Sequence, residues 1–253
     1  FTKEDVFNNG IKYWHYESND KSLFLKQKKG TKDQYFLQQP ATTVVEDKMV
    51  SNNAQNVNSS STPSGTYGFF PFNEGSTDTH ANTYNYGFGA KLQFDFTLTD
   101  DGQVLGNDGK VPIQFFFSGD DDVWVYIDDK LALDVGGDHG KVSGLLEFGL
   151  NDGKLVYTPY VSDVKASNRD RMYKKESNVK SVNYRVADKQ YKSIPFNYKG
   201  DQKEISTGKH TLKFFYMERG MWESNMAIAF NFPDNNELQV QKIVDDKNVN
   251  ELF

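Results

Sequence analysis

The sequence predicts an all-β protein, an antiparallel β-sandwich with a mid-chain insertion, on three observations. Aromatic residues are abundant, with 20 Phe, 14 Tyr and 3 Trp, and aromatic side chains suit the half-buried surface of a pleated strand. Several runs alternate apolar and polar residues with a period of two, which puts one face of a strand on a core and the other in water. Two further runs are apolar on both faces, as expected of strands covered on both sides or lying at a sandwich centre. Hydrophobic content is modest at 37%, but large rings let a chain of 253 residues bury a sizeable core.

In chain order, Thr2 to Asp5 reads as the start of a capping-box helix that Asn8, Asn9 and Gly10 stop after about one turn. From Ile11 to Pro40 aromatic and charged residues mix without a helical period, and Ser51 to Gly65 (SNNAQNVNSSSTPSG) reads as a mobile, low-complexity polar loop. In LQFDFTL, Leu92, Phe94, Phe96 and Leu98 share one face while Gln93, Asp95 and Thr97 share the other. IQFFF (Ile113 to Phe117) and VWVYI (Val123 to Ile127) are the runs apolar on both faces, and Asp120, Asp121 and Asp122 join them. Asp128 and Asp129 separate VWVYI from KLALDV, a spacing suited to a two-residue hairpin.

Tyr160 to Gly200 is basic and rich in Tyr, and reads as the insertion, with a helix near Ser162 to Lys175 and short strands around Val182 and Ile194. HTLKFFYMER and NMAIAFNF alternate again and read as an adjacent pair of strands joined by Gly220 to Asn225. After Pro233 a polar linker leads into another alternating run. The expected division is therefore a sandwich over residues 1–233, then a linker and the first strand of a following domain over 234–253. With no initiating leader segment in sight, the chain reads as a piece of a longer protein.

A net charge of −6 opposes phosphate backbones and anionic lipid surfaces, so nucleic acid is not an expected partner. No apolar run approaches the roughly 18 residues of a membrane span, and membrane insertion is not expected. The absence of cysteine removes disulfides, thiolate metal sites and thiol nucleophiles. No G-x-S-x-G, Walker loop, H-E-x-x-H or dinucleotide fingerprint is present, so an enzyme is not expected, although 35 acidic residues always offer some carboxylate pair to a glycosidase.

The acidic triplet concentrates the chemistry. Two carboxylates held about 4 Å apart repel by roughly 4 kcal/mol at an effective dielectric near 20, so a folded loop that fixes three in a row supplies a cation or leaves them in water. A solvated acidic turn is the plain alternative. Asp134 and Asp138 read first as strand-end and turn carboxylates that cap backbone amides, with metal ligation as the lesser alternative. His139, among glycines in GGDHG, reads as a structural hydrogen-bonding residue, since His15, His80 and His210 show no zinc-like spacing to it. Glu218 and Arg219 end a strand and read as a structural ion pair, while Met221 and Trp222 lie in a loop where Trp222 is either a sugar-stacking platform or packing.

SGDDDVWVYID followed by KLALDVGGDHG resembles the signature of fibro-slime domains, relatives of the anthrax-protective-antigen type of jelly-roll-like β-sandwich. YGFFPFN (Tyr67 to Asn73), NYGFGAKLQFDFTL (Asn85 to Leu98) and FFYMERGMWESNM (Phe214 to Met226) are similar to the same bacterial cell-surface family, in the same order. In the sugar-binding branch of that superfamily, two consecutive aspartates joined by a cis peptide hold a calcium ion that also ligates sugar hydroxyls. The resemblance implies that Asp120 and Asp121 are this pair, with Asp122 beside them. A second loop, Gly220 to Asn225, would supply Asn225, with Glu223 and Ser224 as alternatives.

The implied metal set is thus Asp120, Asp121, Asp122 and Asn225, and the implied carbohydrate-binding set is Asp120, Asp121, Trp222, Glu223 and Asn225. Calcium suits this donor set because it takes 6 to 8 oxygen ligands in irregular geometry, and extracellular sites need dissociation constants of only about 10⁻⁴ to 10⁻³ M. LQVQKIVDDKNV resembles the opening strand of a Cna B-type domain, in which Lys242 would form an isopeptide bond with a partner beyond the chain. Together the resemblances imply an extracellular adhesin domain, monomeric within a multidomain, cell-wall-anchored Gram-positive surface protein or pilus, that binds glycan or glycoprotein. The alternative they leave open is a structural or protein-binding tip domain in which calcium only stabilises the loop.

Overall fold

Phe115 and Phe117 leave their strand on one side and Phe116 on the other, and all three are fully buried. The fold is the answer to how one strand is covered twice. The computed structural model describes residues 1–18, 24–27, 35–38, 42–45, 48–51, 87–120, 122–137, 139–162, 179–187, 189–219, 224–233 and 238–244. Among them there is no helix, and every strand pairing is antiparallel. The protein is an all-β sandwich.

The larger sheet has nine strands. Its order is β1 (Thr2–Glu4), β2 (Tyr13–Glu17), β19 (Met226–Phe230), β10 (Gln114–Gly119), β13 (Val142–Asn151), β14 (Lys154–Ser162), β16 (Gln190–Tyr198) and β15 (Lys180–Ala187), with β17 (Lys203–Glu204) also on β14. The smaller sheet runs β12 (Lys130–Val135), β11 (Asp122–Ile127), β18 (Gly208–Glu218), β7 (Phe88–Leu98) and β20 (Leu238–Val244). Three ribbons complete the strands: β3 (Phe24–Gln27) with β4 (Tyr35–Gln38), β5 (Thr42–Val45) with β6 (Lys48–Ser51), and β8 (Gln103–Gly106) with β9 (Gly109–Pro112).

Between the sheets lies the main core, where Leu92, Phe94, Phe96 and Leu98 of β7 meet Phe115, Phe117, Ile228 and Phe230 of the larger sheet. Phe94 stacks on Phe230 with ring centroids 4.7 Å apart. The alternation read in LQFDFTL and HTLKFFYMER is the alternation of burial along β7 and β18. Each buried aromatic or aliphatic side chain contributes about 1.5–3 kcal/mol, which fixes the strand register, since a one-residue slip would expose the whole set.

A second core lies on the other face of the larger sheet. Phe116, Leu145, Tyr160, Ala227 and Ala229 are covered there by Val6, Phe7, Ile11, Tyr13, Tyr184 and Phe196. The sheet curls until its two ends meet: Arg185 N–H donates to the Val6 carbonyl at 2.9 Å, and Arg185 pairs with Glu4 at 3.2 Å. Tyr184 stacks on Phe116 at 4.6 Å, and its hydroxyl donates to Glu17 and lies 3.0 Å from His15 Nε2. Burial and the Glu17 carboxylate push the Tyr184 phenol well above its ordinary range, so it stays a neutral donor at this seam.

Several expectations change. Thr2 to Asp5 starts no helix: Thr2–Glu4 pairs with β2, and the Asp5 carboxylate accepts the amides of Asn9 and Gly10 at 3.1 and 2.9 Å in the bend that follows. An available strand edge outweighs a local capping pattern. The strands near Val182 and Ile194 form a hairpin, as expected, yet β16 hydrogen-bonds to β14, so the insertion extends the main sheet and supplies Tyr184 and Phe196 to the cover of the second core. Ser162 ends β14, and the rest of the expected helix lies outside the described residues. YGFFPFN and nearly all of Ser51 to Gly65 lie outside them as well.

HTLKFFYMER and NMAIAFNF are not neighbours in one sheet. β18 sits between β11 and β7 in the smaller sheet, and β19 between β2 and β10 in the larger. Alternation marks a strand but does not say which sheet holds it. The run read as opening a following domain is, in the structure, the edge strand β20, paired along β7 with Lys242 opposite Ala90.

Candidate functional site

Two connections cross between the sheets at one end of the sandwich. β10 leaves the larger sheet at Gly119 and the chain enters the smaller as β11 at Asp122; β18 leaves the smaller at Glu218 and the chain enters the larger as β19 at Met226. Since β10 pairs with β19 and β11 with β18, the crossings lie side by side. That pairing brings the acidic triplet to the second loop.

The loops touch through their backbones. Asp120 N–H donates to the Asn225 carbonyl at 3.2 Å. A Cβ on Gly119 would lie 2.5 Å from that same carbonyl oxygen and 2.7 Å from the Phe117 ring, so only glycine permits this approach. Just after β2, Ser18 exchanges bonds with the far end of the second loop: its N–H donates to Met226 O at 2.8 Å and its hydroxyl accepts from Met226 N–H at 2.9 Å.

Within this frame the polar groups fall into two kinds. Asp122, 3% exposed, is fully engaged: Oδ2 lies 2.5 Å from Arg219 Nε, while Oδ1 accepts from Arg219 Nη2 at 3.1 Å and from Gly137 N–H at 2.5 Å. Asp122, expected as a metal ligand, thus has Arg219 and the Gly137 amide as its partners. The guanidinium fork matches a carboxylate on both oxygens and supplies its counter-charge. Arg219 pairs with Asp122, while Glu218, 1% exposed, accepts from the Tyr216 hydroxyl at 2.7 Å. The same hydroxyl lies 3.3 Å from Ser224 Oγ, tying the second loop to β18.

Asn225 is the other kind. It is 6% exposed, and its Oδ1 has no hydrogen-bond partner among the described residues. A buried acceptor without a donor costs about 1–3 kcal/mol, and native proteins keep few of them without a reason. An amide oxygen can be satisfied by a hydroxyl or by a hard cation. Asp120, half-buried, is the neighbouring carboxylate, and Asp121 follows it in the chain. Two carboxylates, an amide oxygen and loop carbonyls are an oxygen-only donor set that fits calcium.

The remaining expected residues divide clearly. Asp120 and Asn225 are brought together, and Asp122 stands beside them in an ion pair. Asp121, Trp222 and Glu223, with Met221, Asp138 and the Asp120–Asp121 peptide, lie outside the described residues. Among the described residues no three of His, Asp or Glu form a metal-holding group. Asp134 caps Gly136 N–H at 2.9 Å, and His139 is buried with Nδ1 2.8 Å from the Gly140 carbonyl and Nε2 2.9 Å from that of Val135, both structural roles as read. Arg219 and Gly137 were not legible as partners of Asp122, because no spacing links three loops that meet only in the fold.

No family model and no solved structure matches the chain. It is similar to proteins of Dictyostelium discoideum: 43% identical to protein psiP over 72 residues, which are 28% of this chain and 8% of psiP. It is 38% identical to protein psiI over 90 residues, 34% of this chain and 12% of psiI, and 58% identical to protein psiF over 33 residues, 13% of this chain and 5% of psiF. The chain thus spans only a small part of the length of these relatives.

Proposed function

We propose that this domain is a surface-displayed adhesin module that binds carbohydrate through a calcium ion held by Asp120, Asp121 and Asn225. The observation that carries the reading is the Asn225 amide oxygen, buried without a partner on the loop whose backbone meets Asp120. The resemblance of SGDDDVWVYID to fibro-slime domains, whose wider superfamily has a sugar-binding branch, adds to it. Asp120 and Asp121 supply the charge, Asn225 and loop carbonyls supply neutral oxygens, and calcium keeps positions for sugar hydroxyls. Trp222 and Glu223, in the same loop, are the proposed sugar contacts.

A single sugar held at millimolar strength corresponds to about −4 kcal/mol, and repeated display on a cell would raise avidity by roughly 10² to 10⁴. The test is a glycan array probed with and without chelator. The expected result is calcium-dependent binding that Asp121→Ala abolishes. Binding indifferent to both chelator and substitution would overturn the reading. If calcium binds and stabilises the fold but no glycan is retained, the module is instead a structural or protein-binding tip domain.

A further inference from the structure

Beside the second core, polar side chains from four strands form one chain of contacts. Gln114 of β10 and Glu147 of β13 stand directly opposite each other, and Gln114 Nε2 donates to Glu147 Oε2 at 2.7 Å. Lys180 Nζ, from β15, donates to that same carboxylate oxygen. On its other side, Gln114 Oε1 accepts from the Tyr13 hydroxyl of β2 at 2.8 Å. We propose that this is a modification site, at which Lys180 Nζ and Gln114 Cδ join in an intramolecular amide bond with release of ammonia.

The orientation of each group is forced. A carboxylate only accepts, so the Gln114 amide turns its nitrogen to Glu147 and its oxygen to Tyr13. Asn9 Nδ2 donates to the Tyr13 oxygen at 3.0 Å, which leaves the single phenol proton for Gln114 Oε1. Burial pushes the Tyr13 phenol well above its ordinary range and keeps that proton in place. The carboxamide is therefore polarised at its oxygen, its leaving nitrogen faces a carboxylate, and an amine rests on the same carboxylate oxygen. An ion pair would need only Lys180 and Glu147; Gln114 and the buried Tyr13 complete the roles of an acyl transfer. The surroundings favour it too. The side chains of Lys180 and Glu147 are 25% and 17% exposed, and Lys180 Nζ lies 5.4 Å over the buried Tyr160 ring. Scarce water disfavours the charged pair relative to the neutral amine and acid that the reaction needs.

The step balances without an oxidant, a reductant or a co-reactant. Glu147 takes a proton from the Lys180 ammonium, and the freed Nζ lone pair attacks Gln114 Cδ. The Tyr13 O–H bond stabilises the oxygen that becomes negative, as an oxyanion-hole donor does. Glu147 returns the proton to Nε2, the Cδ–Nε2 bond breaks, and the departing ammonia carries off a second Nζ proton as ammonium. Glu147 is within hydrogen-bond reach of both nitrogens, as a proton carrier must be. The fold holds the reactants together for its whole lifetime, so even a slow reaction runs to completion. The product ties β10, inside the larger sheet, to the β15–β16 hairpin that supplies Tyr184 and Phe196 to the cover of the second core.

The test weighs the purified, folded 253-residue chain intact by mass spectrometry and then sequences its proteolytic peptides. The expected mass is one ammonia below that of the sequence, with Lys180 and Gln114 recovered in one branched peptide. Lys180→Arg, whose side chain stays protonated, and Glu147→Gln, which lacks the proton carrier, are each expected at the full mass of their own sequence. A folded parent chain at full mass overturns the proposal, and that result needs no variant to fold. An ammonia deficit that persists in Lys180→Arg overturns it as well, because a succinimide at Asn9–Gly10 would give the same loss. A deficit of one water instead would place the bond between Lys180 and Glu147 and overturn the assignment to Gln114. None of these outcomes depends on calcium.

Discussion

The two ends of β11 carry similar acidic clusters in different surroundings. At the Asp128–Asp129 end both residues take positive φ, 48° and 62°, the twist of a two-residue hairpin, and their carboxylates are satisfied within the protein. Asp128 Oδ2 lies 2.6 Å from His210 Nδ1, its Oδ1 accepts Thr211 N–H at 3.0 Å, and Asp129 pairs with Lys213. At the other end Asp122 is equally well held, yet the loop packed beside it carries a buried amide oxygen with no partner. Acidic density alone does not mark a site. The difference lies in which buried oxygens the fold leaves for something else to satisfy.

The sharpest way to break this contrast is Gly119→Ala. Its methyl group would meet the Asn225 carbonyl at 2.5 Å, and backbone cannot move aside as a side chain does. A loss of about 3 kcal/mol in urea unfolding is expected, with calcium binding lost as the loops separate. A variant as stable as the parent would show that the loops do not need this contact.

Asn225→Leu has a smaller effect of the other sign. Removing the unpartnered oxygen is expected to leave the calcium-free protein as stable as before or more stable by about 1 kcal/mol, while calcium affinity disappears. A clear drop in the chelated protein's melting temperature would instead give Asn225 a structural role.

Asp128→Asn is the smallest test, and it addresses the satisfied end. Burial works to raise the Asp128 pKa, but the hydrogen bonds from His210 and Thr211, with the charges of His210 and Lys130, outweigh it and hold the carboxyl below its usual value. A depressed carboxylate contributes stability above its unfolded pKa, near 3.9, and that contribution is lost as pH falls through the lower folded value. The parent should therefore lose stability below about pH 4 more steeply than Asp128→Asn, with calcium affinity unchanged between them. The side chain is about half exposed, so solvent screening keeps the difference small. Equal slopes would remove Asp128 from the acid response.

Much of this fold is written in short-range pattern. The strands β7 and β18 follow from alternation, and the β11–β12 hairpin from Asp128 and Asp129. The run IQFFF, apolar on both faces, asks for two covers, and the structure supplies them as the main core and the curled second core. VWVYI is different: Val123, Val125 and Ile127 are buried, whereas Trp124 and Tyr126 are only half-buried, because among the described residues no second core covers the outer face of the smaller sheet. The place of the second cover was not legible, since it comes from Phe7, Tyr184 and Phe196, far from Phe116 in sequence. The site was legible as a triplet and a loop, but not in its division of labour.

By itself the sequence determined the all-β class, the hairpin at Asp128 and Asp129, and the placement of three aspartates between two apolar strands. These depend on periods of two residues and on turn preferences, which act over a few residues. Only the tertiary structure decided that β10 and β11 belong to different sheets, that the β18–β19 crossing lies against theirs, and that Asp122 belongs to Arg219 while Asn225 is left without a partner. Those outcomes depend on which sheet each strand joins, and that is settled by packing between residues roughly a hundred positions apart, where local pattern carries no information.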